Sequence, residues 1–126
     1  MSNTKNITTE NLANFWGSQS FFRHWMSRNV IYTEGCAFLC ANGAAWLIDA
    51  VLSHVVHTKK VAHEEFVMAT LKVNLEKKSC VLTFDDGNGN ILAKQVIEYT
   101  DFPLEEIVFY VEFNGEGKTM MLTSER

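Results

Sequence analysis

The sequence predicts an α+β fold, with N-terminal helices packed on one face of a mainly antiparallel sheet of about five strands. Three observations carry this. Residues 1–63 hold turn signals and helix-like spacing, and form the helical part. Residues 64–126 alternate apolar and polar positions between tight turns, and form the strand part. One long apolar stretch, Ala44 to Val56, is available to cover the sheet. At 126 residues the whole chain, 1–126, reads as a single domain.

The first helix is expected from Glu10 to Trp16. Thr8 or Thr9 can accept from its exposed N–H groups, and Gly17 can close it. Leu12, Phe15 and Trp16 form its apolar edge. A second short helix is expected from about Gln19 to Met26, with Phe21, Phe22 and Trp25 on one edge. Thr33 caps a third, and Glu34 suits its positive end. Asn42-Gly43 interrupts or ends that helix. The pattern resumes from Ala44 to about His57 and is apolar on nearly all sides, as befits a central helix. Lys59 and Lys60 follow, where cations suit the negative end.

Five strands follow. Phe66–Leu75 places Val67, Ala69, Leu71, Val73 and Leu75 on one face. Ser79–Phe84 does the same with Cys80, Leu82 and Phe84. Asp86-Gly87-Asn88-Gly89-Asn90 is a turn, and Ile91–Tyr99 is the return strand. Pro103 cannot donate to a ladder, so Asp101-Phe102-Pro103 breaks that strand, and Leu104-Glu105-Glu106 is read as one helical turn. Ile107–Phe113 alternates again, Asn114–Gly117 turns, and Lys118–Leu122 closes a last hairpin. The expected order is an antiparallel meander with the 44–57 helix across it.

Composition excludes some functions. Apolar residues make up 47% and charged residues 21%, as in ordinary globular domains. The net charge is −4 with 11 Lys and Arg, a poor field for nucleic acid or anionic lipid. The N-terminus is polar. The 44–56 stretch, about 13 residues, falls short of the roughly 20 needed to span a bilayer, so no membrane partner is expected. Three cysteines, Cys36, Cys40 and Cys80, include no C-x-x-C pair and read as reduced thiols of a cytoplasmic protein.

His54 and His57 lie three apart on a helix, with His63, Glu64 and Glu65 just beyond. They are the candidate metal ligands, although His-x-x-His alone is a weak signal. Asp85–Asn90 fails the calcium-loop pattern, because its sixth and twelfth positions are Asn90 and Val96. A thiol mechanism would need Cys36 as nucleophile, His24 or His54 as base and Asp49 as orienting group. Asp49 sits in the most apolar helix, so it either faces solvent or has a partner such as Arg23, Arg28 or a backbone cap. Phe21, Phe22, Arg23, His24, Trp25 and Arg28 mix aromatics and cations. They suit a packed helix face first. If Trp16 and Trp25 are exposed, they mark a protein interface instead.

Several dispersed phrases agree with one family. They are Phe22-Arg23-His24, Tyr32-Thr33-Glu34-Gly35, Trp46-Leu47-Ile48-Asp49-Ala50, Leu71-Lys72-Val73 and the run from Tyr99 to Ile107. In this order they resemble a family of small uncharacterised bacterial proteins carried on plasmids and phages, over roughly residues 8–124. The resemblance implies a bacterial cytoplasm and a mobile-element setting. It implies no catalytic residue, and Cys36 and Cys40 lie outside its pattern. The expected function is a non-catalytic protein-interaction module, an inhibitor or accessory protein, that binds a protein partner or itself. Trp16, Phe22, Arg23, Trp25 and Arg28 are the expected partner-binding residues, and no cofactor is expected. The alternatives are a metal-dependent enzyme or binder using His54 and His57, and single-stranded nucleic-acid binding through segment 16–28.

Overall fold

A computed structural model describes residues 4–17, 20–27 and 29–126. Seven strands form one mixed sheet: β1 (Phe21–Arg23), β2 (Val30–Thr33), β3 (Phe66–Asn74), β4 (Ser79–Asp85), β5 (Ile91–Ile97), β6 (Glu106–Phe113) and β7 (Lys118–Leu122). Their order across the sheet is β1-β2-β7-β6-β3-β4-β5. The helices are α1 (Thr9–Leu12), α2 (Glu34–Leu39), α3 (Ala45–His57) and α4 (Lys59–Ala62). The α+β class is as the sequence predicts. The sheet is larger than predicted, and it is mixed.

α3 forms where the apolar stretch predicts it. It buries Leu47, Ile48, Val51, Leu52 and Val55. These pack in one core with Val67, Ala69, Leu71, Leu82, Phe84, Phe109 and Val111 from one face of the sheet. The expected break at Asn42-Gly43 is present. Cys40–Ala44 makes a wide turn between α2 and α3, with Gly43 at φ 92, a left-handed conformation that glycine adopts without strain. By length and composition, Glu34–His57 could cross a bilayer. Here it bends at Gly43, and 44% of its most apolar stretch is buried in the core.

Several expectations are corrected. A helix is expected over Gln19–Met26; Gln19 lies outside the described residues, and from Ser20 to Met26 the chain is strand β1 followed by a turn. Phe22 pairs across to Tyr32, and their rings stack at 5.7 Å. That pairing has no counterpart in a local helical edge. The division into a helical part to 63 and a strand part after it therefore fails, because β1 and β2 join the same sheet. The first helix is shorter than expected and ends at Leu12, with Thr8 capping it through Asn11 N at 3.0 Å. Leu104-Glu105 is a bend rather than a helical turn, and Glu106 already belongs to β6.

The meander is corrected as well. Strands β3, β4 and β5 run as hairpins, but β6 crosses over to pair with β3 instead of β5. Composition explains the choice. β5 carries Lys94 and Gln95 and exposes most of its residues, which suits an edge. β6 buries Ile107, Phe109 and Val111, which suits the middle. Phe102, 2% exposed, plugs the core along the crossover, and Val73 N donates to Glu105 O at its end. β7 then pairs antiparallel with β6 and parallel with β2, in register Val30 to Lys118.

The two ends of the described chain meet at that parallel seam. Thr33 does not cap α2 with its own side chain. Its hydroxyl donates to Glu125 Oε1 at 2.6 Å, and Glu125 Oε2 accepts from Gly35 N at 3.1 Å. Leu122 N donates to Glu125 Oε1 at 3.0 Å. The start of α2 is thus capped by a carboxylate some ninety residues away in sequence. On the helix-free face of the sheet, Arg126 lies over the Phe66 and Tyr110 rings and pairs with Glu112 at 2.7 Å.

Candidate functional site

β1 is one edge of the sheet, and its side chains are all exposed. Its backbone orientation follows from the register. His24 N donates to Val30 O at 2.9 Å, so His24 and Val30 form a hydrogen-bonded pair. Such pairs alternate along an antiparallel ladder. Phe22 and Tyr32 are the next one, while Phe21 and Arg23 stand opposite Thr33 and Ile31 as non-hydrogen-bonded pairs. The N–H and C=O groups of Phe21 and Arg23 therefore point away from β2, toward the outside of the sheet.

Aromatic side chains frame this edge. Trp16 is 79% exposed, Trp25 76%, Phe21 52% and Phe22 41%. Gly17, beside Trp16, lines the same shallow cavity of about 410 Å³ as Phe21, Phe113 and Met121. Scattered exposed apolar residues are ordinary on protein surfaces, but two exposed tryptophans and two exposed phenylalanines within residues 16–25 are concentrated. The packed helix face expected for Phe21, Phe22 and Trp25 is thereby overturned. The other four expected partner-binding residues, Trp16, Phe22, Arg23 and Trp25, lie on this surface. Arg28 lies outside the described residues.

A pair missed in the sequence holds the hairpin in place. His24, 4% exposed, brings Nε2 to 2.7 Å from Asp49 Oδ1 on α3. Met26 N donates to His24 Nδ1 at 3.2 Å, which places the ring proton on Nε2 and makes that nitrogen the donor to Asp49. Trp25 Nε1 also donates to Asp49 Oδ1, at 3.2 Å. Asp49 meets both alternatives left open for it: its side chain is 43% exposed, and it has partners, His24 and Trp25. The contact anchors the turn after β1 to the central helix.

This geometry bears on chemistry. A general base needs an imidazole nitrogen turned toward substrate, whereas both nitrogens of His24 are taken. The nearest thiol, Cys40, is pushed up to about 11, first by burial and then by the Asp49 carboxylate. Burial pushes the Cys36 thiol higher still, so it carries no thiolate at neutral pH. Cys36 Sγ sits 3.7 Å from Met120 O in the core. Of the residues of the thiol mechanism, His24 and Asp49 pair, but Cys36 is fully buried against Met120 and does not join them.

The candidate metal ligands do not converge either. His54 bonds Thr58 Oγ1 through Nδ1 and Gln95 Oε1 through Nε2, each at 2.8 Å, and lies against the Phe84 ring. His57 and His63 are exposed. Among the described residues, no three His, Cys, Asp or Glu side chains are grouped to hold a metal ion. Asp85–Asn90 is the turn expected: Asp86 Oδ1 accepts from Asn88 N at 2.8 Å, and Asp86 Oδ2 accepts from the Asn90 side chain at 2.8 Å.

Fold and surface together define an α+β domain whose helices cover one face of a mixed sheet and whose edge strand carries an aromatic cluster. The chain belongs to DUF6876, a family of unknown function, over residues 6–126. Among curated proteins none matches. Among solved structures, it is similar to the crystal structure of a protein of unknown function from Enterococcus faecalis. The two are 12% identical with a TM-score of 0.57, over 78% of this chain and 90% of that one. That likeness is one of fold alone.

Proposed function

We propose that this domain is a non-catalytic interaction module that captures a protein partner at the β1 edge. The observation that carries the reading is the pairing of outward-facing backbone groups on Phe21 and Arg23 with the exposed aromatics around them. Strand addition uses such an edge: main-chain hydrogen bonds give affinity and flanking side chains give selectivity. Tryptophan, tyrosine and arginine dominate the energetics of protein interfaces, and this edge supplies Trp16, Trp25 and Arg23. The cytoplasmic, mobile-element setting implied by the family resemblance suits an inhibitory or accessory role for such a module.

The test is affinity capture from a bacterial lysate with three proteins: the wild type, Trp25→Ala and, at the opposite edge, Val96→Ala. A stoichiometric partner should be retained by the wild type and Val96→Ala. It should be weakened at least tenfold by Trp25→Ala, the loss of about 1.4 kcal/mol or more typical of an anchor residue. Equal retention by all three proteins would refute the reading. Strong salt-sensitive retention on single-stranded DNA would transfer the aromatic segment to nucleic acid instead.

A further inference from the structure

We infer that the β1 edge is self-complementary, and that its partner includes a second copy of this chain joined antiparallel through a two-fold axis at Phe22. The inference rests on the reading of β1 as an interaction edge and names one occupant for it. The outward-facing residues, Phe21 and Arg23, are placed symmetrically about Phe22. Turned about an axis through Phe22, the Phe21 N–H and C=O of one copy meet the Arg23 C=O and N–H of the other. The same happens in reverse, which closes four main-chain hydrogen bonds with no other sequence required.

The side chains agree with that register. Residues opposite one another in a ladder share a face. Phe21 of one copy and Arg23 of the other become direct neighbours, so each guanidinium can lie over the facing ring. Phe22 meets its own counterpart in a non-hydrogen-bonded pair, where opposing side chains approach most closely. Arg23 also brings a cation to the seam of a chain whose net charge is −4.

The area is sufficient for a modest dimer. Each aromatic side chain can bury about 150–250 Å². At their exposures, Trp16, Phe21, Phe22 and Trp25 have at most on the order of 500 Å² per protomer to bury. Two copies reach about 1,000 Å², the lower bound of a specific interface. The opposite edge is worse suited. β5 carries Lys94, and its pairing with β4 is irregular at Phe84 and Asp85, both devices that blunt an edge. β1 carries no lysine, proline or glycine.

Sedimentation equilibrium of the full chain should show a concentration-dependent rise from one chain mass to two, with a Kd on the order of 10 µM for so small an interface. Phe22→Glu places two carboxylates face to face at the axis. It should weaken the dimer at least thirtyfold while circular dichroism shows the monomer still folded. Because a structural defect could mimic that loss, Phe22→Cys supplies a gain of signal. Under mild oxidation it should give a cross-linked dimer on a non-reducing gel, while Phe21→Cys, Arg23→Cys and Val96→Cys give little. A chain that stays monomeric at all concentrations, or that cross-links best through Val96→Cys, would overturn the inference. If a different protein were still captured in a Trp25-dependent manner, the interaction reading would stand without the dimer.

Discussion

Replacing Glu125 by alanine tests how the two ends of the chain hold each other. Its carboxylate accepts from Thr33 Oγ1, Gly35 N and Leu122 N at 2.6, 3.1 and 3.0 Å. Thr33 is 2% exposed, so its hydroxyl would be left buried without this acceptor. Hydrogen bonds to a charged group contribute about 1.5–3 kcal/mol each at most, and three made by one half-exposed carboxylate do not add fully. A loss of about 3 kcal/mol is expected for Glu125→Ala. In a domain of this size that lowers Tm by roughly 10 °C. Glu125→Gln keeps one acceptor but turns an N–H₂ group toward donors, and should cost about 2 kcal/mol. Thermal melts followed by circular dichroism measure both. A cycle with Thr33→Val should show coupling of about 1 kcal/mol. Hydrogen exchange should rise first in β1 and β2, which Thr33 ties to α2. If Glu125→Ala melted within 2 °C of the wild type (a shift worth roughly 0.5 kcal/mol), the capping account of α2 would be wrong.

Two further outcomes follow from local geometry. A Cβ at Gly117 would come to 1.9 Å from the Asn29 carbonyl oxygen, at the start of the β2–β7 seam, whereas one at Gly115 meets nothing but requires φ +99. Urea melts should therefore rank Gly117→Ala, at about 3 kcal/mol or more, well above Gly115→Ala, at about 1–2. The Asp86 carboxyl is held below its ordinary 3.8, first by the Asn90 side chain and then by the Asn88 N–H. A carboxylate whose pKa is lower in the folded state than in the unfolded adds stability above the unfolded value and loses it as pH falls through the folded one. The stability gap between wild type and Asp86→Ala, read from melts across pH, should be constant at neutral pH and close on the acid side of 3.8.

Legibility in the sequence followed the range of the interaction. α3 was readable because its burial is written in thirteen consecutive residues. β3, β4 and β6 were readable because alternation is a period-two signal carried within each strand. The Asp86–Asn90 turn was readable because glycine and asparagine there mark a hairpin. β1 was not, since three residues are too few to establish a period, and the spacing of Phe21, Phe22 and Trp25 also fits a helix. Val30-Ile31-Tyr32-Thr33, four β-formers in a row, was the signal available for β2. Its parallel pairing with Lys118–Met120 depends on residues almost ninety positions away, which no local pattern encodes. The same holds for the site. For Asp49 the sequence leaves solvent and a partner both open, and only the fold of the hairpin brings His24 and Trp25 to it. Whether the aromatics of 16–25 faced core or solvent turned on that same hairpin.

The parallel seam between β2 and β7 has a consequence for biosynthesis. β2 is among the first strands to leave the ribosome, and the neighbour that completes its pairing, Lys118–Leu122, is the last. Until those residues emerge, β2 has no strand on that flank, and the capping carboxylate of Glu125 is not yet made. While the intervening residues are made, the aromatic hairpin lacks its final support, in the state where unpaired strands are most prone to wrong association. Completion of the β1–β2 edge therefore waits on residues 118–125, and early nucleation alone does not give that edge its final form.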